Sequence, residues 1–81
     1  MYYCYIIYSV SKNKYYVGST SNLEERIRKH NTNHKGFTGS TPDWELKWHE
    51  TFLEKTDAAK FEKQIKNWKS RTMIEKLIQD L

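Results

Sequence analysis

Eighty-one residues make one domain, spanning 1–81, with a core large enough to fold alone and little to spare. Only 37% of the chain is hydrophobic against 30% charged, so the three Trp, six Tyr and three Phe must supply much of the buried area. The net charge of +4 favours anionic partners such as nucleic acid, the single Cys4 excludes an internal disulfide and a cysteine-based zinc site, and no apolar run reaches the ~20 residues of a membrane span. With no basic export leader before the apolar start, these features lead to an expectation of a cytoplasmic protein without a membrane partner.

The first element is a near-continuous β-forming run, Tyr2 to Val10, suited to a strand covered on both faces and hence to the middle of a sheet. Polar Ser11-Lys12-Asn13-Lys14 then reads as a turn, and Tyr15 to Thr20 as the returning antiparallel strand. Pairing Val10 with Tyr15 sets Ile7 opposite Gly18, and alternation then puts Tyr5, Ile7, Tyr16 and Gly18 on one face. Gly18 marks a place of close backbone approach.

A helix follows, with Ser21 and Glu24 spaced as a capping box. Leu23 and Ile27 form its apolar stripe, and Arg26 and His30 lie at the stripe's edge, leaning toward the sheet. Asn31 to Asp43 is rich in Asn, Gly and Ser and reads as a long loop. Within it Lys35, Gly36, Phe37 and Thr38 offer a cation, a flexible backbone, an aromatic face and a hydroxyl, a set suited to meeting phosphate and base; the plainer alternative is that Phe37 pins the loop to the core. Trp44 to Leu53 is expected to be a third strand, with Leu46, Trp48, Phe52 and Leu53 facing inward.

Thr56-Asp57 reads as the start of a helix whose core stripe is Ala58, Phe61, Ile65 and Trp68, with Glu62 at the margin. Lys60, Lys63, Lys66 and Lys69 make the rest of its surface basic, with Lys66 and Lys69 as candidate phosphate contacts. After an interruption at 67–71, Thr72 and Glu75 suggest another capping box, opening a last helix with Met73, Ile74, Leu77, Ile78 and Leu81 on its apolar face. The fold class is therefore α+β: a small three-stranded antiparallel sheet flanked by about three helices.

One combination stands out: tyrosines on adjacent strands, an Arg/His pair on the next helix, and a carboxylate beside a later apolar stripe. That inventory suits phosphoryl chemistry, because a carboxylate holds a divalent cation, arginine neutralises charge developing on phosphate, and tyrosine or histidine positions or deprotonates water. Taken singly, each has a bland alternative: Tyr5 and Tyr16 as core aromatics, Glu62 as a surface partner of Lys66, Arg26 as an ion-pair partner of an acidic neighbour.

On Tyr16-Val17-Gly18, Tyr3-Cys4-Tyr5, Arg26, His30 and Phe61-Glu62-Lys63, the chain resembles the GIY-YIG nuclease superfamily, most closely its small stand-alone bacterial members. The resemblance implies a GIY-YIG-like fold and a metal-dependent endonuclease cutting phosphodiester bonds in DNA; the alternative is a non-catalytic nucleic-acid-binding module that keeps the fold. It implies Tyr5 as general base or water-positioning hydroxyl, Tyr16 as its partner, Gly18 for close approach, Arg26 to stabilise the pentavalent phosphate, His30 for proton transfer or orientation, and Glu62 as ligand of Mg²⁺ or Mn²⁺. Tyr3 stands where the family's first motif has glycine. Substrate preference is expected from the loop Asn31 to Asp43, from the lysine-rich helix, or from a separate targeting protein.

Overall fold

The β-forming run at the start of the chain becomes β1 (Tyr2–Ser9) in a computed structural model that describes residues 1–32 and 42–79. It is the central strand of an antiparallel sheet, between β2 (Lys14–Thr20) and β3 (Trp44–Phe52), in the order β2-β1-β3. The turn between β1 and β2 is Val10–Asn13, closed by a 3.2 Å hydrogen bond from the Asn13 N–H to the Val10 carbonyl. Asn13 takes a left-handed φ of 54°, which asparagine tolerates better than lysine does. The turn therefore closes one residue earlier than expected, and Ser9 pairs with Lys14 and Tyr5 with Gly18. This corrects the expected register by two residues; an even shift leaves every side chain on its expected face.

Helix α1 (Leu23–His30) covers one face, where Leu23 and Ile27 pack on Tyr5, Ile7 and Trp44. Helices α2 (Lys55–Trp68) and α3 (Arg71–Gln79) cover the other, where Ala58 and Ile65 are buried and Phe61, Trp68, Ile74, Leu77 and Ile78 are partly buried. The first cap falls one residue after its expected place, and the other two helix starts fall two residues before theirs. Asn22, not Ser21, accepts from the Glu25 N–H at 3.1 Å. Helix α2 begins after Glu54 without a side-chain cap, and the Ser70 hydroxyl, not Thr72, accepts from the Met73 N–H at the start of α3. Capping residues are frequent at all these junctions, and the one used is set by where the chain leaves the sheet or the preceding helix.

A bulge corrects the reading of the third strand. Trp48 pairs with Ile6 but Leu46 pairs with Ile7, leaving Lys47 as the extra residue. Leu46 and Trp48 consequently point to opposite faces: Trp48 joins Cys4, Ile6 and Val17 beneath α2, while Trp44 joins Tyr5 and Ile7 beneath α1. Leu46 remains 38% exposed, and Leu53, beyond the strand end, is 79% exposed. Met73 is likewise exposed rather than core. Leu81 lies outside the described residues. Among the described residues no helix is long and apolar enough to cross a membrane.

Candidate active site

Tyr5 is fully buried, yet its hydroxyl lies 2.7 Å from Nε2 of His30, itself only 5% exposed at the end of α1. The contact depends on Gly18. A Cβ there would lie 2.5 Å from the Tyr5 hydroxyl oxygen and 2.7 Å from Cζ, so the phenol occupies the space that a side chain on β2 would fill. The close approach expected at Gly18 is thus the approach of Tyr5.

Tyr16, two residues before Gly18 on the same face, brings its ring to 5.0 Å from the His30 ring and 6.5 Å from Trp44. The His30 imidazole is packed between the two tyrosines, 5.8 Å from the Tyr5 ring. The Arg26 guanidinium, one helical turn before His30, interacts with the hydroxyls of both Tyr5 and Tyr16, which push its pKa up. Burial pushes the Tyr5 phenol up to about 12, with Arg26 opposing the shift and Tyr16 and Glu62 adding to it. The phenol is therefore neutral at ordinary pH and retains a proton to donate.

Glu62 comes from α2, across the sheet. Its Oε1 accepts from the Ser19 hydroxyl at 2.7 Å and its Oε2 from Lys66 Nζ at 2.6 Å, with the side chain 21% exposed. Because β2 is an edge strand, α2 can reach around it: Lys66 Nζ also lies 5.6 Å from the centre of the Tyr16 ring. The i,i+4 pairing with Lys66 is present, as the bland alternative had it, and the same carboxylate acts electrostatically on Tyr5. Lys66 and Lys69 line a groove of about 400 Å³ with Tyr15, Tyr16 and Ile74 along that edge. Arg26 makes no ion pair among the described residues, whereas Arg28 pairs with Glu25 at 2.7 Å.

A carboxylate has about four acceptor positions, so Ser19 and Lys66 leave room for a further partner. Among the described residues no group of three or more His, Cys, Asp or Glu side chains is placed to share a metal. A lone carboxylate suits a hard cation that keeps several waters and takes oxygens from phosphate, as Mg²⁺ and Mn²⁺ do, better than it suits a closed zinc site.

Three supporting residues escaped the sequence reading. Ser19 holds Glu62; its only signal was its place next to Gly18. Asn31 grips the backbone of Trp44, donating from Nδ2 to the carbonyl at 3.0 Å and accepting from the N–H at 2.7 Å, which ties the end of α1 and thus His30 to β3. Asp43 accepts from the Ser9 hydroxyl at 2.6 Å and the Ser11 N–H at 2.8 Å. The candidate contacts Lys35, Phe37 and Thr38 lie outside the described residues.

The fold and site define a small α+β domain with phenol, imidazole and guanidinium groups on one face of its sheet and a carboxylate held against the edge strand on the other. Residues 1–76 match the family model of the GIY-YIG catalytic domain, and the chain belongs to the GIY-YIG family of nuclease domains. Among solved structures it is similar to the solution NMR structure of the UPF0213 protein BH0048 from Bacillus halodurans, at 26% identity over 98% of this chain and 84% of that chain, with a TM-score of 0.59. No curated protein matches it.

Proposed function

We propose that this chain is a divalent-metal-dependent endonuclease that hydrolyses phosphodiester bonds in DNA, with Tyr5, Tyr16, Gly18, Arg26, His30 and Glu62 as its working residues. The observation that carries the proposal is the buried Tyr5–His30 hydrogen bond, set beside the Arg26 guanidinium. A phenol held neutral by burial is a poor base by itself, but one that donates to an imidazole can relay. As water attacks phosphorus, its proton passes to the Tyr5 oxygen while the Tyr5 proton passes to His30 Nε2, and the P–O bond to the departing sugar oxygen breaks, that oxygen taking a proton from solvent. The phenol ends neutral and the imidazole ends as imidazolium.

Arg26, fixed next to both hydroxyls, offers a positive charge where the phosphoryl oxygens gain negative charge. Tyr16 supplies a second hydroxyl for orienting water or phosphate, and Gly18 keeps the space in which Tyr5 stands. Glu62 would hold Mg²⁺ or Mn²⁺, which when bound supplies further charge neutralisation at the phosphate. The net charge of +4 and the Lys66 and Lys69 edge support a polyanionic substrate, and the family resemblance supports DNA. A second reading, a module that binds nucleic acid without cutting it, draws on the Lys66 ammonium already seated on Glu62.

Glu62→Gln separates the two. The amide keeps the side-chain shape and an oxygen for Ser19 but binds a hard cation poorly. Cleavage by the wild type in Mn²⁺ or Mg²⁺ should be lost in Glu62→Gln, with affinity for the same oligonucleotide retained or increased. Equal cleavage by both proteins would remove Glu62 as the essential ligand, and no cleavage by the wild type on branched, single-stranded or duplex DNA would leave the binding module.

A further inference from the structure

The face that carries Tyr5 continues along β1 into an open groove of about 600 Å³ between α1 and the sheet. Tyr3 stands two residues before Tyr5 on the same face, and His49 is the residue paired with Tyr5 on β3. The Tyr3 and His49 rings meet edge to face, with centroids 6.1 Å apart. Leu23 and Ile27 from α1 and Leu46 from β3 add an apolar lining, and Glu24 adds a carboxylate.

No Lys or Arg is among the described residues that line this groove. With a carboxylate present and no cation, it is unsuited to phosphate. Aromatic rings, an aliphatic lining and the polar groups of Ser21, Asn22 and Glu24 instead match a nucleobase, which has a π-face to stack, apolar edges and, in cytosine, adenine and guanine, an exocyclic amino group to donate. Two residues of β-strand span about 7 Å, so a base held here belongs to a nucleotide beside the phosphate facing Tyr5 and Arg26.

We propose that the Tyr3–His49 groove binds an unstacked nucleobase next to the scissile phosphate, so that the protein prefers single-stranded or frayed DNA over closed duplex. The proposal rests on the nuclease reading for its substrate, but the groove acts in binding and is testable without cleavage. A base inside a duplex is stacked and paired, and reaching the groove requires breaking both interactions. Glu24 further favours bases with an amino group over thymine.

The test measures affinities for oligo-dC, oligo-dT and a blunt duplex by fluorescence anisotropy in EDTA, so that no cutting intervenes. Tyr3→Leu keeps bulk and removes the aromatic face; it should weaken binding to single strands about tenfold and to duplex less than twofold. His49→Ala, at an exposed position, should act in the same direction and guards against a folding defect in Tyr3→Leu. Glu24→Gln should reduce the preference for oligo-dC over oligo-dT. Equal losses on single strand and duplex, or no loss in either aromatic variant, would overturn the groove. If the wild type proves unable to cleave but the single-strand effect of Tyr3→Leu persists, the groove stands and the nuclease reading falls. If the wild type and Tyr3→Leu cleave single strands at one rate and bind them alike, the groove falls and the nuclease reading stands.

Discussion

Along β1, Cys4 and Ile6 point toward α2 and α3, while Tyr5 and Ile7 point toward α1, and the two faces differ in what burial surrounds. Beneath α2 the buried side chains are Cys4, Ile6, Val17, Trp48 and Ile65, joined by the stacked rings of Trp48 and Phe61. Beneath α1 the buried set includes Ser9 and His30 beside Tyr5, and each has a hydrogen-bond partner. A polar group removed from water costs stability unless it is paired. One face therefore buries only apolar side chains, and the other accepts buried polar groups and holds the candidate site in a defined position. Glu62 belongs to the first face by its helix and by its hydrogen bond to Ser19, and it acts on Tyr5 of the second face only electrostatically.

The largest expected effect tests this division at Tyr5. Removing its hydroxyl in Tyr5→Phe should lower the cleavage rate by about 10²- to 10⁴-fold. Stability should fall by only about 1–3 kcal/mol, the cost of leaving His30 Nε2 without the phenol. Single-turnover cleavage beside a urea titration checks both, and a wild-type rate in the variant would return Tyr5 to a packing role.

On the opposite face the balance should reverse. Ile65→Ala empties a fully buried site and should cost about 2–5 kcal/mol, with the cleavage rate per folded molecule unchanged. A change in that rate at a temperature where the variant remains folded would show that the faces are not separable.

Gly18→Ala sharpens the comparison because it should disturb both properties. The added methyl meets the Tyr5 ring, which is buried and has little room to retreat, so a stability loss of about 1–3 kcal/mol is expected together with slower cleavage. Loss of stability with a normal rate would mean that the Tyr5 hydroxyl need not stay where it is.

A further effect is shared by the two faces and emerges only at high pH. Burial pushes the Cys4 thiol up to about 12 from 9.0 and the Tyr5 phenol up to about 12 from 10.0. In both cases the folded state holds the proton more tightly than the unfolded chain. The resulting stability is fully present below about pH 9 and is lost as pH rises toward 12. Urea midpoints should be flat from pH 7 to 9 and decline above it, and Cys4→Ser should soften the first part of the decline. A flat profile to pH 11 would contradict the burial of both groups.

Composition and periodicity carried much of the molecule. Tyr2 to Ser9 is apolar on both faces and so had to be central, Ala58, Phe61, Ile65 and Trp68 recur at the helical period, and Tyr5, Tyr16 and Gly18 share a face by alternation alone. These are local regularities, legible because a strand repeats every two residues and a helix every 3.6. The tertiary structure decided where regularity breaks or where distant segments meet. The extra Lys47 sends Leu46 and Trp48 to opposite faces because a bulge changes the alternation, and nothing in the sequence of β3 marks it. The choice of Asn22 over Ser21 as cap follows from the path of the chain leaving β2. Ser19 and Glu62, 43 residues apart, and Asn31 and Trp44, 13 apart, are joined by hydrogen bonds whose partners are chosen by packing geometry, a relation that no one-dimensional pattern encodes.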